Sequence, residues 1–220
     1  MPTSTFLNLP AEKRARFVDA ALDELSSAPL DRASITAIVK RLGIAKGSVY
    51  QYFDDKFELY AWLLQEAGDR RAAGFADLPV PDGADWFDRL AVGYRAGLRA
   101  HAEDPRWARL GLRLFEPSDE PRLVALRRDT DARIHAWLAD QLRQAQTRCE
   151  VRADVDVDTA AWLVRGVLQH GLLGAFLAKL GTDLDGLPDV APRVTPEQLE
   201  AALSVADEAV RFLRRALGPG

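Results

Sequence analysis

The sequence predicts an all-α protein, and three observations carry that prediction. Apolar residues recur at three- and four-residue spacing along most of the 220 residues. No stretch of strand length alternates apolar and polar side chains. Residues that start and stop helices interrupt the periodic segments where caps belong.

Taken in order, a first helix runs from about Pro10 to Ser26. Pro10 suits a first turn, and Phe17, Val18, Ala21, Leu22 and Leu25 repeat at helical spacing before Ala28-Pro29 ends it. Ser34 offers an N-cap for a short helix striped by Ile35, Ile38, Val39 and Leu42, and Gly43 stands where a C-terminal cap belongs. A third helix, about Ala45 to Tyr52, starts with small and polar residues and ends in Tyr52-Phe53. Asp54 or Asp55 can cap a fourth, which carries Phe57, Leu59, Tyr60, Leu63 and Leu64.

The run Asp77-Leu78-Pro79-Val80-Pro81-Asp82-Gly83 reads as a break near the junction of two domains. These are residues 1–54 and 55–220, with the helix over 55–75 connecting them. Beyond it come helices over about Trp86 to His101, Pro105 to Phe115 and Glu120 to Arg148, the last with Leu123, Leu126, Ile134, Trp137, Leu138 and Leu142 turned inward. A further helix spans about Val157 to Leu180. Thr195-Pro196-Glu197-Gln198 then supplies an N-cap, a first-turn proline and acidic charge to start the final helix, which ends near Leu217.

Composition excludes several classes of function. Cys149 is the single cysteine, so neither an intrachain disulfide nor a cysteine zinc site is expected, and no cofactor is implied. The N-terminus lacks the basic and apolar regions of a secretory signal, which favours the cytoplasm. The stretch Ala160 to Leu180 is long enough to cross a bilayer, but Arg165, His170 and Lys179 interrupt it. A charge at mid-bilayer costs about 2.5–3.5 kcal/mol, so a buried helix and no membrane partner are expected. The motifs of serine hydrolases, zinc proteases and phosphate loops are missing, and His101, His135 and His170 lie at no metal-ligand spacing, so no enzyme is expected.

The net charge of −4 has the wrong sign for indiscriminate nucleic-acid binding. In residues 1–60, Lys13, Arg14, Arg16, Arg32, Lys40, Arg41, Lys46 and Lys56 are balanced by as many carboxylates. A DNA reading therefore rests on placement. Two short helices joined by a tight turn and packed on a third form the unit that lays its second short helix in the major groove. Gly47 and Ser48 permit close backbone approach near a helix N-terminus, Lys46 can reach a guanine edge or a phosphate, and Tyr50, Gln51 and Tyr52 add hydroxyl and amide groups.

The segment Ile35-Thr36-Ala37-Ile38-Val39 through Leu42-Gly43-Ile44-Ala45-Lys46-Gly47-Ser48-Val49-Tyr50-Gln51-Tyr52-Phe53, followed by Asp55-Lys56 and Leu59, closely resembles the DNA-binding signature of tetracycline-repressor-like (TetR family) regulators. The resemblance spans about residues 11–64. It implies that Thr36, Lys46, Gly47 and Tyr50 face base edges and that Ser34, Ser48, Gln51, Tyr52 and Lys56 touch phosphates. Ala28-Pro29 departs from the family's glycine after the first helix, and Ala45 from its frequent capping serine.

For the remainder, the resemblance implies a helical bundle that encloses a ligand cavity and pairs with a second subunit through the last two long helices. The residues are compatible with this. Apolar side chains and Gly166, Gly171 and Gly174 surround the helix from Trp162 to Leu180, and Leu199, Leu203, Ala206, Val210 and Leu213 stripe the last helix. Trp86, Tyr94, Trp107, Leu110, Leu114, Phe115, His135, Trp137 and His170 are candidates to line a pocket for a small, largely apolar ligand, although such side chains are usually plain core. The expected function is a homodimeric repressor released from a palindromic double-stranded DNA operator by a small-molecule effector. A constitutive or protein-gated regulator remains the alternative.

Overall fold

A computed structural model describes residues 1–76 and 78–219, without the side chains of 72–76, 169 and 170. The described residues form helices and connecting turns only. In chain order the helices are α1 (Ser4–Leu7), α2 (Ala11–Ser27), α3 (Ile35–Leu42), α4 (Lys46–Tyr50), α5 (Lys56–Ala76), α6 (Trp86–Glu103), α7 (Pro105–Arg113), α8 (Pro121–Thr147), α9 (Val157–Arg165), α10 (Leu172–Lys179), α11 (Leu187–Val190) and α12 (Pro196–Leu217). A π-helical turn, Gly166–Gly171, joins α9 to α10, and a short 3₁₀ turn, Ala191–Arg193, follows α11.

Local chemistry accounts for the boundaries. The Ser34 hydroxyl accepts the Ala37 N–H at 3.3 Å, and Gly43 closes α3 in the left-handed region at φ +68°. Asp55 accepts the Glu58 N–H at 2.8 Å in the first turn of α5. Thr195 and Gln198 form a reciprocal capping box at the start of α12. The expected helices are present, with ends shifted by one to a few residues. α1 and α11 were not anticipated, and the long helix expected to 180 is interrupted by the π turn. Asp77 of the expected break lies outside the described residues.

The chain divides into two compact units: Met1–Ala72 with Arg106–Arg127, and Ala73–Pro105 with Arg128–Gly220. In the first, Phe6, Phe17, Leu22, Leu25, Ile38, Val49, Phe53, Leu59, Tyr60 and Leu63 form one core together with Leu110, Leu114 and Leu123. In the second, α6 packs along α12, burying Phe87, Leu90 and Leu98 with Leu203, Ala206 and Val210. Ion pairs border that contact: Arg95 reaches Glu200 at 2.5 Å and Asp207 at 2.8 Å, and Arg214 reaches Asp88 at 2.6 Å.

The stretch Val157–Lys179 is long and apolar enough to cross a membrane by length and composition, yet half of its most apolar window is buried inside the protein. Arg165, only 7% exposed, pairs with Asp131 of α8. A buried guanidinium held by a carboxylate belongs to a packed helical core.

Candidate nucleic-acid interface

The first unit builds a helix-turn-helix. α3 anchors itself through Ile35, Ile38 and Val39, all buried. Gly43 then reverses the chain so that α4 starts three residues later. Only Val49 of α4 is buried, and Phe53 just beyond it is fully buried. Those two side chains hold the helix down by one edge and leave the opposite edge free. The N-cap of α4 is Ala45, whose side chain accepts no hydrogen bond, so the first N–H groups of α4 have no side-chain cap.

On the open side Thr36, Lys46, Gly47 and Gln51 are exposed, as is Tyr50 at 49%. Ser34, Ser48 and Tyr52 are half-buried. Lys46 makes no ion pair among the described residues. The sequence from Ser34 to Phe53 holds Lys40, Arg41 and Lys46 and no carboxylate. The balanced charge of residues 1–60 therefore conceals a cationic stretch over α3 and α4, because the acids lie on other elements.

Two of the nominated residues have structural duties as well. The Lys56 ammonium donates to the Ala33 carbonyl at 2.6 Å and the Asp31 carbonyl at 3.1 Å, fixing the turn that presents Ser34. The Tyr52 ring meets Phe17 edge-on at 5.6 Å. Sequence reasoning missed Thr3 and Phe6, which contact Gln51 and Tyr52 just beyond α4. The one available signal was the apolar pair Phe6-Leu7 ahead of the first expected helix.

The pocket nominees do not gather in one place. Trp107, Leu110, Leu114 and Phe115 belong to the core of the first unit, with Arg70 stacked 4.7 Å over the Trp107 ring. Trp86 and Tyr94 belong to the core of the second. His135 stacks on Trp162 at 4.6 Å, between α8 and α9. Trp137, expected to turn inward, is 55% exposed, because Leu138, Ala139 and Leu142 take the buried side of α8. The His170 side chain lies outside the described residues. In the second unit a concavity of about 260 Å³ is lined by Lys179, Leu180, Val190, Arg193, Val194 and Gln198, none of them a nominee.

The fold is that of a helix-turn-helix DNA-binding transcriptional regulator. Residues 17–62 match the model of bacterial regulatory proteins of the tetR family. A TetR family transcriptional regulator from Chloroflexus aurantiacus superposes with a TM-score of 0.76 at 28% identity, over 100% of each chain. An HTH-type transcriptional repressor of Mycobacterium tuberculosis is 24% identical over 91% of this chain and 94% of its own. The uncharacterized HTH-type regulator YdgC of Bacillus subtilis is 25% identical over 82% of this chain and 86% of its own. The chain therefore carries the DNA-binding region of the tetR family over residues 17–62 and resembles regulators of that family along its length.

Proposed function

We propose that the protein is a cytoplasmic homodimeric repressor whose two α4 helices read an inverted repeat and which a small, largely apolar effector releases. The observation that carries the DNA part is the open edge of α4: Lys46, Gly47 and Tyr50, with Gln51 just beyond, are exposed on a helix of which only Val49 is buried. Thr36 joins them at base edges, and Ser34, Ser48, Tyr52 and Lys56 meet phosphates. Residues 1–54 carry this role, and residues 55–220 carry pairing and effector binding.

Pairing is supported by apolar side chains that one chain leaves open on its last long helices. Trp162 is 55%, Leu163 65% and Phe212 62% exposed, and Gly166, Gly174, Ala175 and Ala178 are exposed along the same run. Small residues allow a second helix to approach closely, and a two-fold dimer matches a palindrome. We assign the effector site to the second unit, where Trp86 and Tyr94 join an extended apolar core. An effector acts there by binding the DNA-free arrangement of the dimer more tightly than the DNA-bound one.

Selection from a random double-stranded DNA pool by the purified protein tests this reading. The expected product is an inverted repeat with half-site centres about 10 base pairs, or a multiple, apart. Enrichment of no sequence, or of single half-sites by a monomer, contradicts it.

A further inference from the structure

A five-residue recognition helix cannot set its own direction. Isolated helices shorter than about 12 residues are marginal in water, and the carbonyls that follow α4 have no next helical turn to accept from. Residues ahead of α2 fill that vacancy. The Thr3 hydroxyl donates to the Gln51 carbonyl at 2.6 Å, and the Thr3 N–H donates to the Tyr52 carbonyl at 3.0 Å.

Three residues on, Phe6 is fully buried. Its ring lies 5.6 Å from Tyr52, 5.0 Å from Phe53, 5.3 Å from Phe17 and 5.0 Å from Trp62. One short segment thus touches the C-terminal end of α4 by two hydrogen bonds and by ring packing, and ties it to α2 and α5. The region matched by the family model begins at residue 17, well after this segment.

We infer that Thr3–Phe6 is a clasp that sets the pose of α4, making Thr3 and Phe6 positioning residues for DNA recognition. The inference rests on the proposed reading of α4 as the DNA-reading helix. The Thr3 hydroxyl proton is committed to Gln51, so the residue acts through the helix rather than on DNA. Loosening the clasp lets α4 sample directions in which Lys46 and Tyr50 no longer reach the groove together, and affinity falls without loss of the fold.

The test uses the full chain and a DNA site selected by the wild-type protein. Thr3→Val keeps the shape of the side chain and removes its hydroxyl; Thr3→Ser keeps the hydroxyl. Thr3→Val is expected to weaken DNA binding about five-fold, the scale of one hydrogen bond, and to speed amide exchange at Val49–Phe53 while exchange in α6 and α12 stays put. Thr3→Ser is expected to behave as wild type, and Phe6→Leu to speed exchange in α4 more than Thr3→Val does. Wild-type affinity and wild-type exchange in Thr3→Val overturn the clasp. If the wild-type protein selects no DNA, the reading of α4 fails on its own, and the exchange arm alone decides whether the clasp exists.

Discussion

Tyr60 donates its phenol to the Leu110 carbonyl at 3.1 Å inside a fully apolar core. The bond joins α5 to α7, so α7 is a packed part of the unit that carries α4 although some thirty residues of chain lie between α5 and α7. Burial raises the phenol pKa well above its ordinary value, which keeps Tyr60 a neutral donor.

Tyr60→Phe removes this bond and leaves the ring. The Leu110 carbonyl keeps its place in a helix, so the expected loss is that of a single hydrogen bond, about 1 kcal/mol. Urea denaturation checks the value, and an unchanged midpoint would show that the bond contributes nothing.

Gly43→Ala probes the turn before α4. A Cβ at Gly43 would meet nothing within 4 Å, so any effect comes from the φ of +68°. A left-handed L-residue costs about 1–2 kcal/mol, which should appear as an equal loss of stability. Because the strain sits in the turn itself, DNA affinity should fall as well; retention of both would mean that the turn is not the constraint described.

Acid should weaken the first unit. Burial alone would raise the Asp55 pKa, but Arg122 at 2.6 Å and the N–H groups of Glu58 and Phe57 outweigh it and hold the carboxyl below its ordinary value. The unfolded chain therefore binds the proton more readily than the folded one. The resulting stability is present above the unfolded pKa of about 4 and is lost as pH falls through the lower folded value. Since Asp55 is 41% exposed, the effect is a few tenths to about 1 kcal/mol. Asp55→Asn should be less stable than wild type at pH 7 and should lose less between pH 7 and about pH 3; equal losses would contradict the assignment.

Leu163→Arg tests the pairing face. The side chain is 65% exposed in the single chain, so the substitution should leave the protomer folded. Sedimentation should show the shift from dimer to monomer, with DNA affinity reduced at least about ten-fold because one half-site is lost. A dimer of wild-type stability would place the interface elsewhere.

The elements that the sequence made legible are those in which one local signal decides the outcome. Ser34, Gly43 and Thr195 cap helices as their side chains or φ values require, and Val49 and Phe53 take the buried edge that leaves Tyr50 outside. What remained hidden depends on contacts between distant segments. Nothing in Pro105–Arg113 says that it packs with α5, and Thr3 is an ordinary leader residue until Gln51 and Tyr52 come beside it. Trp137 was misplaced because α8 has apolar residues on more than one side, and periodicity cannot say which side the neighbouring helices cover. Lys56 was nominated for phosphate, and its contacts with Asp31 and Ala33 carbonyls appear only in three dimensions.

The most direct test of the account is a salt titration of binding to the selected DNA by the wild-type protein, Lys46→Ala and Tyr50→Ala. Tyr50→Ala should lose about 1–3 kcal/mol of discrimination between the selected site and scrambled DNA. Lys46→Ala should bind more weakly, with a logarithmic salt slope shallower by about 1 for each phosphate contact that it removes. If both variants bind the selected site as tightly as wild type, at every salt concentration, α4 does not read DNA.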